Sequence, residues 1–262
     1  MKYEQIILFW VIALPVSLAL RFIQLFHIVE ANTGFYKPDF ELWGGVITAI
    51  IIAIVLIVFL FAFFVQKVPE KPSKVGLSLG VSSGVLAFAT AIELFLGGET
   101  FGLIKWQRVS LYLVGILFVL WLIVFAIKDF INIKLPEITA IIPCIYFVLK
   151  IICNFAGISS LALISDNILL IMTYCAVLLF MLELAKAYNG INSKRGYNKL
   201  LAFGLSSVVL CFVQSIPNIA FHLSVEGGYL HTAMVTNFAM LFTGVFIASF
   251  VLTNYSYKNI KN

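Results

Sequence analysis

The sequence predicts an all-α fold, a polytopic helical membrane bundle of about eight transmembrane helices. Three observations lead there. The 262 residues are 62% hydrophobic and only 11% charged, whereas soluble domains carry about 25% charged residues. The mean hydropathy is +1.08. Apolar runs of roughly 20 residues, the length that crosses a bilayer core, recur from end to end with short polar connections between them. Almost nothing is left over for a soluble domain, so residues 1–262 read as a single integral membrane domain.

The first span, 5–26, follows Lys2 and contains "SLA" at Ser17 to Ala19, which faintly resembles a signal-peptide cleavage site. Its apolar run continues past Arg21, so a retained helix is expected. Span two, 42–65, is an almost unbroken run of Ile, Val, Leu and Phe with Thr48 polar in its core, the pattern of a lipid-facing helix. Span three, 75–96, repeats Gly76, Gly80 and Gly84 every four residues beside Ser83, Ala87 and Ala91. Small residues at that spacing let backbones approach, which predicts a central position. Spans four and five cover 109–127 and 138–155. Span six, 167–186, follows Ser165-Asp166-Asn167, which reads as a helix N-cap, and near its far end Glu183 and Lys186 are spaced to pair locally. Spans seven and eight cover 200–221 and 232–252.

Pro15, Pro143 and Pro217 fall inside spans one, five and seven, where each removes a backbone hydrogen bond and can bend its helix. Cys144, Cys153, Cys175 and Cys211 all lie within spans and show no CxxC spacing. They are expected to be small buried apolar residues.

Charge sets the expected orientation. With the N-terminus inside, the inner loops hold twelve of the lysines and arginines, from Lys2 to Lys261, and the outer side holds Arg21, Lys37, Lys105, Arg108 and Lys150. That bias puts both termini in the cytoplasm of a cell-membrane protein, with the basic 186–199 loop as the main anchor. The net charge of +5 is thus a matter of topology, and no nucleic-acid partner is expected.

Several landmarks recur about half a chain apart: Pro15 with Pro143, Arg21 with Lys150, Gly97-Gly98 with Gly227-Gly228, and "NIK" at Asn132 and Asn259. They outline a 4+4 tandem repeat of halves 1–134 and 135–262.

In this topology the odd-numbered helices all run outward and carry polar groups near that end. Arg21 and Gln24 close span one, Glu93 span three, Lys150 and Asn154 span five, and Gln214, Asn218 and His222 span seven. Charges in hydrocarbon are costly and mark functional sites unless they reach the interface. Arg21, Glu93 and Lys150 are expected either to form a network with one excess positive charge, suited to a carboxylate or phosphate, or to snorkel to headgroups. The candidate ligand-binding residues are Arg21, Gln24, Glu93, Lys150, Asn154 and Asn218. Loops 32–40 and 97–108, rich in turn residues and aromatics, could cover them or form an interfacial belt.

His27, His222 and His231, with Glu226 nearby, are weak candidates for zinc, since their spacing matches no helical metal motif. No phosphate loop, dinucleotide fingerprint or paired acidic motif occurs, so the sequence leans away from an enzyme and calls for no cofactor. The first functional reading is transport or binding of a small polar or anionic solute at an outer-facing site in the lipid bilayer. The second is a non-catalytic subunit that packs against protein partners or further copies of itself. A remote third is an intramembrane zinc hydrolase.

Overall fold

The computed structural model describes residues 3–30, 35–65, 77–96, 105–131, 136–157, 164–189, 196–224 and 233–259. Eight helices cross the molecule: α1 (Tyr3–Ile23), α2 (Glu41–Phe63), α3 (Leu77–Leu96), α4 (Lys105–Ile131), α5 (Ile142–Gly157), α6 (Ile164–Tyr188), α7 (Gly196–Ser224) and α8 (Met234–Asn259). All eight are long and apolar enough to span a membrane, as the hydropathy predicts. Among the described residues the only extended pairing is a single antiparallel bridge, Val29 to Tyr36.

Six of the helices close a ring. Helix α3 packs on α4, α4 on α5, α5 on α6, α6 on α7, α7 on α8, and α8 back on α3. The remaining two, α1 and α2, pack on each other and lie against the outer flank of α7. The two halves of the expected repeat therefore hold different places: α1 and α2 form a hairpin outside the ring, while α5 and α6 belong to it.

Helix α7 is the centre of the molecule, because ring members flank it on one side and the hairpin covers the other. Of its membrane-crossing stretch 83% is buried, against 50% for α3 and 28% for each of α1 and α2. The sequence reading gave the central place to α3, and the structure corrects it. A Cβ built on Gly84 would meet nothing within 4 Å, so this glycine serves no close helix contact. Close approach occurs instead between α7 and α8, where a Cβ on Gly244 would come within 2.7 Å of the Phe212 ring and 2.9 Å of Cys211 Cβ. Two of the buried hydroxyls of α7 bond within the helix: Ser207 donates to the Phe203 carbonyl at 2.6 Å and Ser215 to Cys211 at 2.6 Å. Such back-bonding hides a polar side chain without an external partner.

The expected lipid face of α2 holds, since most of its apolar stretch is exposed. Its far end is capped from α7: Asn198 Nδ2 donates to the Phe63 and Val65 carbonyls at 3.0 and 2.7 Å, satisfying acceptors that a helix terminus leaves open. Trp10 on α1 reaches α7 through an indole bond to the Leu205 carbonyl, 3.2 Å. Pro143 departs from its expected role. It sits in the first turn of α5, after a 3₁₀ turn at Glu137–Ile141, where the missing N–H has no helical partner to lose. Pro15 and Pro217 do lie within α1 and α7. Glu183 and Lys186 pair at 2.8 Å within α6.

Replacing Gly244 with valine should push α8 away from α7 and cost about 1–3 kcal/mol, whereas Gly84→Ala should be neutral or stabilise by up to about 1 kcal/mol. Thermal unfolding of the two variants in detergent measures the difference.

Candidate functional site

Two polar clusters are buried in the bundle, each built around one ion pair. The first gathers at the end of α1, where the helix widens into a π-turn, Gln24–Ile28. Arg21 Nη2 is paired with Asp166 Oδ1 in the first turn of α6. Its other terminal nitrogen, Nη1, donates to Gln24 Oε1 at 2.6 Å. Gln214 Nε2 on α7 donates to the same Asp166 oxygen at 2.9 Å. The Gln24 amide nitrogen reaches Tyr36 Oη (2.8 Å), the Gly44 carbonyl (2.7 Å) and Thr48 Oγ1 (2.8 Å). One connected network thus joins α1, α2, α6 and α7.

Local sequence explains its shape. The chain turns back after Ile28 through backbone bonds from Glu30 N to the Phe35 carbonyl, 2.8 Å, and from Lys37 N to Ile28, 2.9 Å. This sets the Tyr36 ring over Gly44, where a Cβ would fall 2.5 Å from the ring. Only a residue without a side chain lets tyrosine lie there, so part of loop 32–40 does close over the Arg21 cluster. Residues 31–34 and loop residues 97–104 lie outside the described residues.

The second cluster lies inside the ring. Lys150 Nζ on α5 is paired with Glu93 Oε1 on α3. The Tyr146 hydroxyl is 3.4 Å from the other carboxylate oxygen, a long contact for an O–H donor. The ammonium also sits 5.9 Å from the Tyr146 ring centre and 5.6 Å from that of Tyr174, within cation–π reach. The Phe118 ring stacks on Tyr146 at 4.6 Å. Beside the pair is a cavity of ≈ 20 Å³, room for about one water molecule. All six ring helices line it: Thr90 and Glu93 from α3, Phe118 from α4, Tyr146 and Lys150 from α5, Thr173 and Tyr174 from α6, Cys211 from α7, Thr236 and Thr243 from α8.

These positions change the reading of the charges. Arg21 and Lys150 are 0% and 4% exposed, so neither snorkels. They do not share Glu93 either. Asp166, expected as an N-cap, supplies the second carboxylate, so each cluster is built around its own carboxylate–base pair instead of one shared network with an excess positive charge. Both pairs need their hydrogen bonds as well as their charges, because a buried ion pair recovers its desolvation cost only in good geometry. Arg21 Nε, Asp166 Oδ2 and Gln214 Oε1 have no hydrogen-bond partner among the described residues.

Asn154 is buried one helical turn beyond Lys150, and its Oδ1 has no partner among the described residues. Asn218 is buried one turn beyond Gln214. His27 is exposed, and its carbonyl accepts from Lys37 Nζ at 2.9 Å. His222 is half-buried near the end of α7. Glu226 and His231 lie outside the described residues. Among the described residues no group of three or more His, Cys, Asp or Glu is arranged to hold a metal ion. The sequence reading missed Asp166, Tyr146, Tyr174 and the four threonines. Only Asp166 carried a usable signal, an acid at the membrane level with a base to match.

The fold defines a multi-pass helical membrane protein with two polar clusters buried in a mainly apolar core. Comparison with protein-family models, curated proteins and solved structures found no match.

Arg21→Met and Asp166→Leu should each cost about 3–5 kcal/mol, by stranding the partner charge, while the double variant should cost far less than their sum. Unfolding of the three variants in detergent tests this; additive losses would mean that the pair is not coupled.

Proposed function

We propose that this chain binds a small polar solute in the centre of the six-helix ring, at Glu93 and Lys150, and carries it across the membrane. The observation that supports this reading is the convergence of all six ring helices on one cavity beside a buried ion pair. Structural ion pairs are usually packed over. This one keeps adjacent space, aromatic faces and threonine hydroxyls, the mix of apolar walls and a few convergent polar groups found in solute sites. Binding at a ring interface also lets a solute couple to movement of one helix group against another. The Arg21 cluster, whose members do not line the cavity, holds the α1–α2 hairpin to α6 and α7, while the solute site lies within the ring.

The same proposal places the protein in the cell membrane with both termini cytoplasmic, so that the Glu93–Lys150 end of the ring lies toward the outside. The charge bias between loops supports it.

A membrane-impermeant maleimide should label a Lys37→Cys variant in intact cells and a Lys194→Cys variant only after permeabilisation; the reverse pattern inverts the topology. Full-length protein in detergent should show a rise in Tm with one or more members of a chemically diverse library of small polar solutes. Ala239→Val, which narrows the cavity from α8, should remove that rise and keep the fold. A library without effect on the native protein refutes the solute site.

A further inference from the structure

We infer that the Glu93–Lys150 cavity selects a compact zwitterion, a molecule carrying one ammonium and one carboxylate, which inserts between the two side chains and replaces each as the other's partner. The inference rests on the solute-binding reading above and names its substrate class.

Charge balance carries the argument. Glu93 and Lys150 are buried to the same degree, each side chain 5% exposed, and they are the only ionisable carboxylate and ammonium among the residues that line the cavity. A simple anion taking Lys150 would strand Glu93 beside a second negative charge. A simple cation taking Glu93 would strand Lys150 in the same way. Removing the partner of a buried charge is strongly unfavourable, so either ligand is opposed by the site itself. An uncharged solute separates the pair and restores neither charge. A zwitterion restores both, its carboxylate on the Lys150 ammonium and its ammonium on the two Glu93 oxygens.

The remaining lining fits such a ligand. Thr236 is 1% exposed and its Oγ1 has no hydrogen-bond partner among the described residues, leaving a buried hydroxyl to serve a carboxylate as donor or an ammonium as acceptor. Thr173 and Thr243 donate to the Leu169 and Ala239 carbonyls at 2.7 and 2.9 Å, which leaves their oxygens able to accept from an ammonium. The rings of Tyr146 and Tyr174 already border one ammonium and suit a second. The cavity of ≈ 20 Å³ has room for about one water molecule, so a compact ligand gains its place only by parting the ion pair and shifting the side chains around it.

The test is the Tm of the purified full-length protein in detergent with each proteinogenic amino acid, against acetate, inorganic phosphate, methylamine and acetamide. At least one amino acid should raise Tm, and none of the four controls should. The double variant Glu93→Gln/Lys150→Met keeps the cavity neutral and hence the fold; its apparent Kd for that amino acid should be weaker by about a hundredfold. If acetate or phosphate acts as strongly as the amino acids, or only an uncharged library solute acts, zwitterion selection is overturned and the solute site stands. If no solute of any class shifts Tm, both readings fall.

Discussion

The constraint on which this structure depends is that a charge inside a membrane bundle must be met by an opposite charge from another helix. Arg21 cannot turn to water from the inner face of α1, and its guanidinium is wholly buried. Asp166 therefore has to stand at the start of α6, and Gln214 has to reach it from α7. That single requirement brings three helices into register at one end of the molecule. The Gln24 amide extends the register to α2 through Gly44 and Thr48. At the opposite end Asn198 caps α2, and the Ser78 and Thr253 hydroxyls meet at 3.3 Å between α3 and α8.

The two ion pairs serve different architecture. The Arg21 pair joins the hairpin to the ring, and its neighbours are amides, which have fixed donor and acceptor geometry and suit a permanent joint. The Lys150 pair lies inside the ring, among hydroxyls and aromatic faces that can accept more than one arrangement of charge. Lysine is a point charge on a flexible stem, whereas arginine presents a rigid fork. The choice of base at each place agrees with a fixed junction in one cluster and an adaptable interior in the other.

The helices themselves were legible because each is a long apolar run broken by polar loops, and hydropathy reads that pattern directly. Which helix lies at the centre was not. Glycine spacing pointed to α3, but Gly84 faces open space, and the central α7 carries serines, two of which, Ser207 and Ser215, hide their hydroxyls by bonds along their own helix. The candidate polar residues were legible as costly groups in hydrocarbon, and Arg21, Gln24, Glu93, Lys150, Asn154 and Asn218 are all buried. Their partners were not, because pairing is decided between distant helices. Asp166 resembled an ordinary helix cap, and Thr90, Thr173, Thr236 and Thr243 have no sequence feature that distinguishes a cavity wall from a packed helix face.

The position of the hairpin has a consequence for the birth of the protein. Arg21 and Asp166 are separated by 145 residues. At a synthesis rate of about 5–20 residues per second, α1 therefore waits roughly 7–30 seconds for its counter-charge. During that interval an arginine sits near the end of a newly inserted helix, at a cost on the order of 2.5–3.5 kcal/mol were it at the bilayer centre. The rest of α1 is apolar enough to hold it there, with a hydropathy of 2.4 over its best stretch. Completion of α6 and α7 then neutralises a charge made first, so the last half of the chain acts as the clasp for its beginning.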